Sequence, residues 1–419
     1  KRIFNLLTNI IKKRNDKMAE LEKPAILGGK PVRQEKIYYG RQWVEEDDVE
    51  AVTQALYADL ITSGPRVSAL EKNLCELTGA KYATVVSNGT AALHVAALAA
   101  GIGPGDEVIT TPLTFAASAN CAIYCGARPV FADVDAQTYQ IDPEEIERKI
   151  TDRTRAVVAV DYTGAPVDHR RIREICDRHH LTFIEDAAHA IGTKDNGEMI
   201  GNIADLTCFS FHPVKTVTAG EGGAVTTNDA ELARMVNLLH SHGIEHEEAN
   251  MVGAPHEGMW YYEQQYLGFN YRMTDFQAAL LSSQLKKLPK FQKRRKEITE
   301  RYNEAFADVP QLFLQKEIPT ADTTRHLYMI RLNPERISCS RAEFFNAMSA
   351  ENVQCQVHYV PVYWFPYYQA RGYEKGLCPR AEEIYSGIMS IPLYPMMSDE
   401  DVADTIHAVK KLCAYYAKE

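Results

Sequence analysis

Seven short apolar runs, spaced along the first 230 or so residues, constrain this chain more than any other feature. They are Tyr82 to Ser87, Glu107 to Thr110, Pro129 to Asp135, Ala156 to Tyr162, Leu181 to Asp186, Leu206 to Phe211 and Ala224 to Thr227. Runs this short, rich in Val, Ile and Phe, fit strands buried on both faces of a mostly parallel sheet. Helical spacing between them, at Ala91 to Ala100, Pro143 to Ile150 and Arg170 to His180, supplies the crossovers that parallel strands require. The fold class read from this pattern is α/β, with a large domain built on a mostly parallel seven-stranded sheet.

The pattern changes on either side. Upstream, Glu45 to Leu60 and Arg66 to Thr78 carry apolar residues at helical spacing, separated by the breakers Gly64 and Pro65. Downstream, Leu232 to His240, Thr274 to Leu288 and Phe291 to Phe306 are predicted helices. A smaller C-terminal α/β unit follows, with strands at His326 to Leu332 and Val353 to Tyr359 around a helix from Arg341 to Glu351. A closing helix begins at the capping-box-like Ser398-Asp399-Glu400-Asp401. The expected division is an N-terminal extension over 1–23, a large domain over 24–285 and a small domain over 286–419. The extension is expected to be disordered, with Met18 the more natural start.

The chain has 419 residues, 45% of them hydrophobic and 24% charged, which are ordinary globular values. A net charge of -10 shows no nucleic-acid footprint, which needs a basic face. No apolar run reaches the length of a membrane span. Nine cysteines lie scattered without a CxxC pair, which reads as reduced thiols of a cytoplasmic protein. Cys121 and Cys125 share a helical face but lack a second ligand pair. His240, His242, His246 and His256 lack a fixed ligand spacing, and no metal is expected.

The chemistry is carried by two strand ends. Phe209-Ser210-Phe211-His212-Pro213-Val214-Lys215-Thr216, followed by Gly220-Glu221-Gly222-Gly223, sets one lysine between an apolar run and a Gly-rich turn. Burial there lowers a lysine pKa and makes the amine nucleophilic toward aldehydes. Glu185-Asp186-Ala187-Ala188-His189 ends another run, so Asp186 lies at the C-terminal sheet edge, where open α/β sheets bind ligands. A lysine to hold an aldehyde and an acid to keep a pyridine nitrogen protonated are the needs of pyridoxal 5'-phosphate. Asp186 could otherwise merely cap the next helix.

Ser87-Asn88-Gly89-Thr90 marks a strand-to-helix turn whose free N–H groups would meet an anion, or would serve as a plain helix cap. Ser210 can add a hydroxyl. His189 is either a cofactor contact or structural, and Phe115 either stacks on a ring or belongs to the core. The aromatic tract Tyr359 to Tyr368 either faces a sugar nucleotide or fills the space between domains, with His358 at its mouth.

The ordered motifs SNGTAAL, GDEVITTPLTF, FADVD, EDAAHA, FSFHPVKTVTAGEGGA and LGFNYRMTDFQAALLSSQL resemble the DegT/DnrJ/EryC1/StrS sugar aminotransferases, from about Pro24 to the C-terminus. The resemblance implies the pyridoxal phosphate transferase fold of type I. It also implies Lys215 as the cofactor-holding lysine and proton shuttle, and Asp186 as partner of the pyridine nitrogen. Gly89, Thr90 and Ser210 become phosphate ligands, Phe115 a ring-stacking residue and His189 a neighbour of the phenolic oxygen. Asn270 is implied to cross to a neighbouring subunit's phosphate, giving a homodimer with shared active sites. His358, Tyr359 and Arg272 are candidates for substrate contact.

Family members with histidine in place of the lysine are dehydratases, and Lys215 argues for transamination. FHPVKTVTAGEGG and HYVPVYWFPYYQARGY…SIPLYP further resemble the branch that serves pseudaminic acid biosynthesis. The implied reaction passes the amino group of L-glutamate to a nucleotide-linked 4-keto-6-deoxy sugar. The alternatives are an aminotransferase or dehydratase acting on another nucleotide keto-sugar, and a non-catalytic regulator that binds the cofactor as a ligand.

Overall fold

A computed structural model describes residues 22–253 and 258–418. Most of the expected N-terminal extension, and His256, lie outside the described residues. The seven runs form one sheet: β1 (Tyr82–Val86), β2 (Glu107–Thr110), β3 (Arg128–Phe131), β4 (Thr154–Val160), β5 (Thr182–Asp186), β6 (Leu206–Ser210) and β7 (Gly223–Thr227). Their order is β1-β7-β6-β5-β4-β2-β3, and only β7 runs against its neighbours.

Side-chain alternation builds two cores from one sheet. Ala156, Val158, Ile184 and Cys208 pack with the helices Gly89–Ala99 and Ala117–Tyr124. Val157, Ala159 and Phe183 point the other way, onto Ile146 of Pro143–Lys149 and onto Ile172 and Ile175 of His169–His179. Helix starts are fixed by side chains: Asp142, Asp168 and Asp229 each accept an amide of the turn that follows. The box expected at Ser398 is present, with Ser398 Oγ accepting Asp401 N–H and Asp401 Oδ2 accepting Ser398 N–H.

Two expectations change in the C-terminal part. The helices expected on either side of Pro289 are one, Asp275–Phe306, 32 residues long. An interior proline removes one helical hydrogen bond at a cost of about 3 kcal/mol. The burial of Leu281, Leu288, Phe291, Ile298, Tyr302 and Phe306 along the same helix outweighs that cost. The strand expected at Val353 to Tyr359 is not formed. Only single bridges survive, Ile37 with Val353 and Gln356 with Ser390. Beyond those bridges the segment turns to the large domain, where Tyr162 Oη, in the turn after β4, donates to the His358 carbonyl.

The smaller sheet is instead β8 (Leu312–Leu314), β9 (Tyr328–Leu332) and β10 (Ile388–Ile391), all antiparallel. It packs with the helices Arg341–Ala350 and Asp399–Tyr415 and with Tyr302 and Phe306 of the long helix. Among the described residues no helix is long and apolar enough to cross a membrane.

One buried ion pair ties the segment that enters this core. Lys411 Nζ lies 3.0 Å from Glu351 Oε2, and both side chains are fully buried. Glu351 also accepts the amides of Ala25 and Val32 at 2.8 and 3.0 Å, while Lys411 donates to the Lys30 carbonyl at 2.8 Å. Lys411→Met strands a buried carboxylate and is expected to lower stability by about 3–5 kcal/mol. The double change with Glu351→Gln is expected to lose less than Lys411→Met alone; urea midpoints of the variants compare the two.

Candidate active site

The C-terminal ends of β5 and β6 open into a cavity of about 910 Å³. Gly89, Thr90, Phe115, Asp186, His189, Ser210, Lys215, His358 and Tyr359 all line it. Two residues singled out in the sequence do not. Asn270 is exposed beyond the rim, and Arg272 donates to Ser241 Oγ at 3.0 Å. Among the described residues the cavity lining contains no arginine.

One end of the cavity is a cradle of backbone. Asn88 caps the helix Gly89–Ala99 by accepting Ala91 N–H at 2.9 Å, which leaves the amides of Gly89 and Thr90 at the open end of the first turn. A Cβ on Gly89 would stand 2.8 Å from Ser210 Cβ, so the close approach of β6 to the helix start requires glycine. Gly223 is under the same constraint from the other side, where a Cβ would stand 2.4 Å from the Asn88 carbonyl oxygen. Helix N-terminus, small residue and Ser210 hydroxyl together suit a phosphate.

Asp186 ends β5 as a buried carboxylate. Its Oδ2 accepts Ser118 O–H at 2.6 Å and its Oδ1 accepts Ala188 N–H at 3.1 Å. Burial raises its pKa above the usual carboxylate range, while Ser118, Ala188 and the charge of Lys215 pull the other way. Lys215 follows β6 in a loop closed by Phe211, whose N–H donates to the Gly222 carbonyl and whose own carbonyl accepts Ala219 N–H. The Lys215 side chain is half-buried by surface, yet enough protein surrounds the amine to lower its pKa to about 8, against the attraction of Asp186.

The remaining wall is aromatic. Tyr359 Oη lies 3.2 Å from His189 Nε2, and the two rings stack at 6.2 Å. Phe115, 62% exposed, stands 6.2 Å from Tyr359. His358 Nδ1 pairs with Ser390 Oγ at 2.6 Å. Burial, helped by the Lys215 charge, holds His189 well below the ordinary histidine value and His358 at about 3, so both are neutral. His326, unmarked by any motif, also lines the wall with its ring 4.5 Å from His189. Ser118 was likewise hidden, because it meets Asp186 across 68 residues of chain.

These groups fit pyridoxal phosphate on the geometry alone: an open cradle for a phosphate, an anion for a ring nitrogen and an amine of lowered pKa for an aldehyde. A different buried group, Asp161, His169 and Glu185, brings metal-ligating atoms together behind β5. Both ring nitrogens of His169 are already engaged there, Nε2 by Glu185 and Nδ1 by Asp195.

Comparison with known proteins agrees with this geometry. The family described as the DegT/DnrJ/EryC1/StrS aminotransferase family matches residues 42–410. The spore coat polysaccharide biosynthesis protein SpsC of Bacillus subtilis is 42% identical over 376 residues, 89% of this chain and 96% of that protein. The UDP-4-amino-4,6-dideoxy-N-acetyl-beta-L-altrosamine transaminase of Campylobacter jejuni is 36% identical over 379 residues, 89% of this chain and 97% of that protein. The solved structure of Helicobacter pylori PseC, an aminotransferase of pseudaminic acid biosynthesis, superposes with a TM-score of 0.83. It is 31% identical and covers 90% of this chain and 99% of that one.

The lowered pKa of Lys215 makes a pH prediction. Only the unprotonated amine attacks an aldehyde, and with a pKa of about 8 that form grows as pH rises through 8 and levels off about one unit higher. The rate at which cofactor-free protein takes up pyridoxal phosphate, followed by absorbance, is expected to show that midpoint. An unshifted lysine would keep rising through about pH 10. Gly89→Ala is expected to weaken cofactor binding about 100-fold with the circular dichroism unchanged, since a methyl group would occupy the cradle.

Proposed function

The chain belongs to the DegT/DnrJ/EryC1/StrS aminotransferase family and is a pyridoxal-phosphate-dependent sugar aminotransferase; on that premise we propose that it moves the amino group of L-glutamate to C4 of a nucleotide-linked 4-keto-6-deoxy sugar. The acceptor best supported is the 4-keto counterpart of the UDP-linked amino sugar named for the Campylobacter relative, because 36% identity extends over 89% of the chain. The observation that carries the reading is Lys215, an amine of pKa about 8 directed into the same cavity as Asp186. A lysine rather than a histidine at that position disfavours dehydration as the second reading.

The cofactor, when bound, withdraws electrons from the carbon that carries the amino group. Gly89 and Thr90 amides and the Thr90 and Ser210 hydroxyls would hold its phosphate, and Asp186 the proton of its ring nitrogen. Phe115 would cover one ring face, with His189 beside the phenolic oxygen. Lys215 takes the α-proton of glutamate in the first half of the cycle and returns a proton to C4 of the sugar in the second. One group can serve both steps because a pKa near working pH leaves neither form rare. Neutral His189 and His358 add no competing charge beside that amine.

The proposed unit is a homodimer with shared sites. Glutamate and a nucleotide sugar bring several negative charges to a cavity whose walls, among the described residues, offer no arginine. Met259, Trp260 and Leu267, 101%, 76% and 83% exposed, stand on the same stretch as Asn270 and would be covered by a second copy. The nine unpaired cysteines suit the proposed cytoplasmic setting.

Glutamate is expected to bleach the visible band of the loaded protein and release 2-oxoglutarate, and the correct UDP-4-keto sugar is expected to restore the band. An unchanged band with glutamate would remove the donor from this reading. Lys215→Ala is expected to lose at least about 10³-fold in turnover. Mixing inactive Lys215→Ala and Asn270→Ala proteins tests the shared sites. Random reassortment gives mixed dimers with one intact site each, so about a quarter of wild-type activity is expected to return. No recovery, with subunit exchange verified, would place Asn270 outside the partner's site.

A further inference from the structure

The carboxylate of Asp186 is oriented by a helix that belongs to a different crossover. Ser118, in the helix Ala117–Tyr124, is fully buried and sets its Oγ 2.6 Å from Asp186 Oδ2. Thr114, one turn earlier and also buried, sets Oγ1 2.7 Å from Ser118 Oγ. Ser118 has a single proton and three acceptors within reach, the Phe115 carbonyl at 3.3 Å, Thr114 Oγ1 at 2.7 Å and Asp186 Oδ2 at 2.6 Å. The shortest, charge-assisted bond takes the proton. A lone pair of Ser118 then receives the Thr114 O–H. The direction Thr114 to Ser118 to Asp186 is therefore set by the negative charge at its end, and a protonated Asp186 would not impose it.

We infer that Thr114 and Ser118 form a hydroxyl relay of positioning residues that holds Asp186 ionised and aimed, and so sets how firmly the ring nitrogen of the bound cofactor keeps its proton. The inference rests on the proposed pairing of Asp186 with that nitrogen. Burial alone raises the pKa of Asp186, and the Ser118 bond is the first influence opposing it. The same turn carries Phe115 between the two hydroxyl residues. The ring face and the ring nitrogen would thus be addressed from one rigid piece, and a shift of that turn would move both contacts together.

The test is the nitrogen-15 resonance of pyridoxal phosphate labelled at its ring nitrogen, bound to wild-type protein and to Ser118→Ala, Thr114→Val and Thr114→Ser. The wild type is expected to show a protonated ring nitrogen. Ser118→Ala is expected to shift the resonance toward the unprotonated form and weaken cofactor binding about 10- to 100-fold, the loss of one hydrogen bond to a charged group. It is also expected to lower kcat with little change in the KM for the sugar. Thr114→Val, nearly isosteric, should move the resonance the same way by less, and Thr114→Ser should match wild type. A protonated wild type with unchanged resonances in both Ser118→Ala and Thr114→Val overturns the relay alone. An unprotonated wild type overturns the Asp186 pairing, and the relay with it. Should Ser118→Ala fail to fold, Thr114→Val carries the same comparison.

Discussion

The site depends on one carboxylate held out of water at the end of a central strand. Left alone, burial would favour the neutral form of Asp186 and weaken it as a partner for a cation. A hydroxyl, a backbone amide and a nearby amine oppose that tendency from three separate segments. The burial that threatens the acid also lowers the pKa of Lys215 and keeps the surrounding histidines neutral. One environment thus produces a fixed anion and a labile base side by side, which is the asymmetry that proton transfer at carbon requires.

The neighbouring residue solves the opposite problem on the other face of the sheet. Strand alternation points Glu185 away from the cavity, where it is fully buried. It accepts Thr207 O–H and pairs with His169, which Asp195 holds from the far side. Burial lowers the pKa of His169, and Glu185 and Asp195 more than reverse it, so the ring is a cation between two anions. Asp161 is raised well above the carboxylate range by burial and by Glu185, and is held as the neutral acid. Two adjacent acids in the sequence therefore do unrelated work, one facing the site and one fastening β4, β5 and β6 from behind.

The sheet and the centre of the site were legible in the sequence because both follow from local pattern. Doubly buried strands read as apolar runs, and the residues that end them read as site candidates by position. The elements that failed to read depend on distant partners. Pro289 argues locally for a break, and only the packing along Asp275–Phe306 overrules it. The run at Val353 to Tyr359 has strand-like composition, but it makes only single bridges to Ile37 and Ser390, and its His358 carbonyl is met by the distant Tyr162. Ser118 resembles any helix serine until the crossovers bring Asp186 against it. Asn270 and Arg272 lie outside the cavity lining of this chain, so no local pattern ties either of them to it.

The cradle also sets which parts of this scaffold can diverge. At Gly89 and Gly223 even one added carbon meets backbone or Ser210 at under 3 Å. Those positions leave substitution no room, and the anchor they form is frozen. The same cavity is also lined by the side chains of Tyr39, Tyr124 and Phe269, which stand outside the helix that carries the cradle. Crowding alone thus forbids a side chain at these two glycines, whatever the cavity accepts.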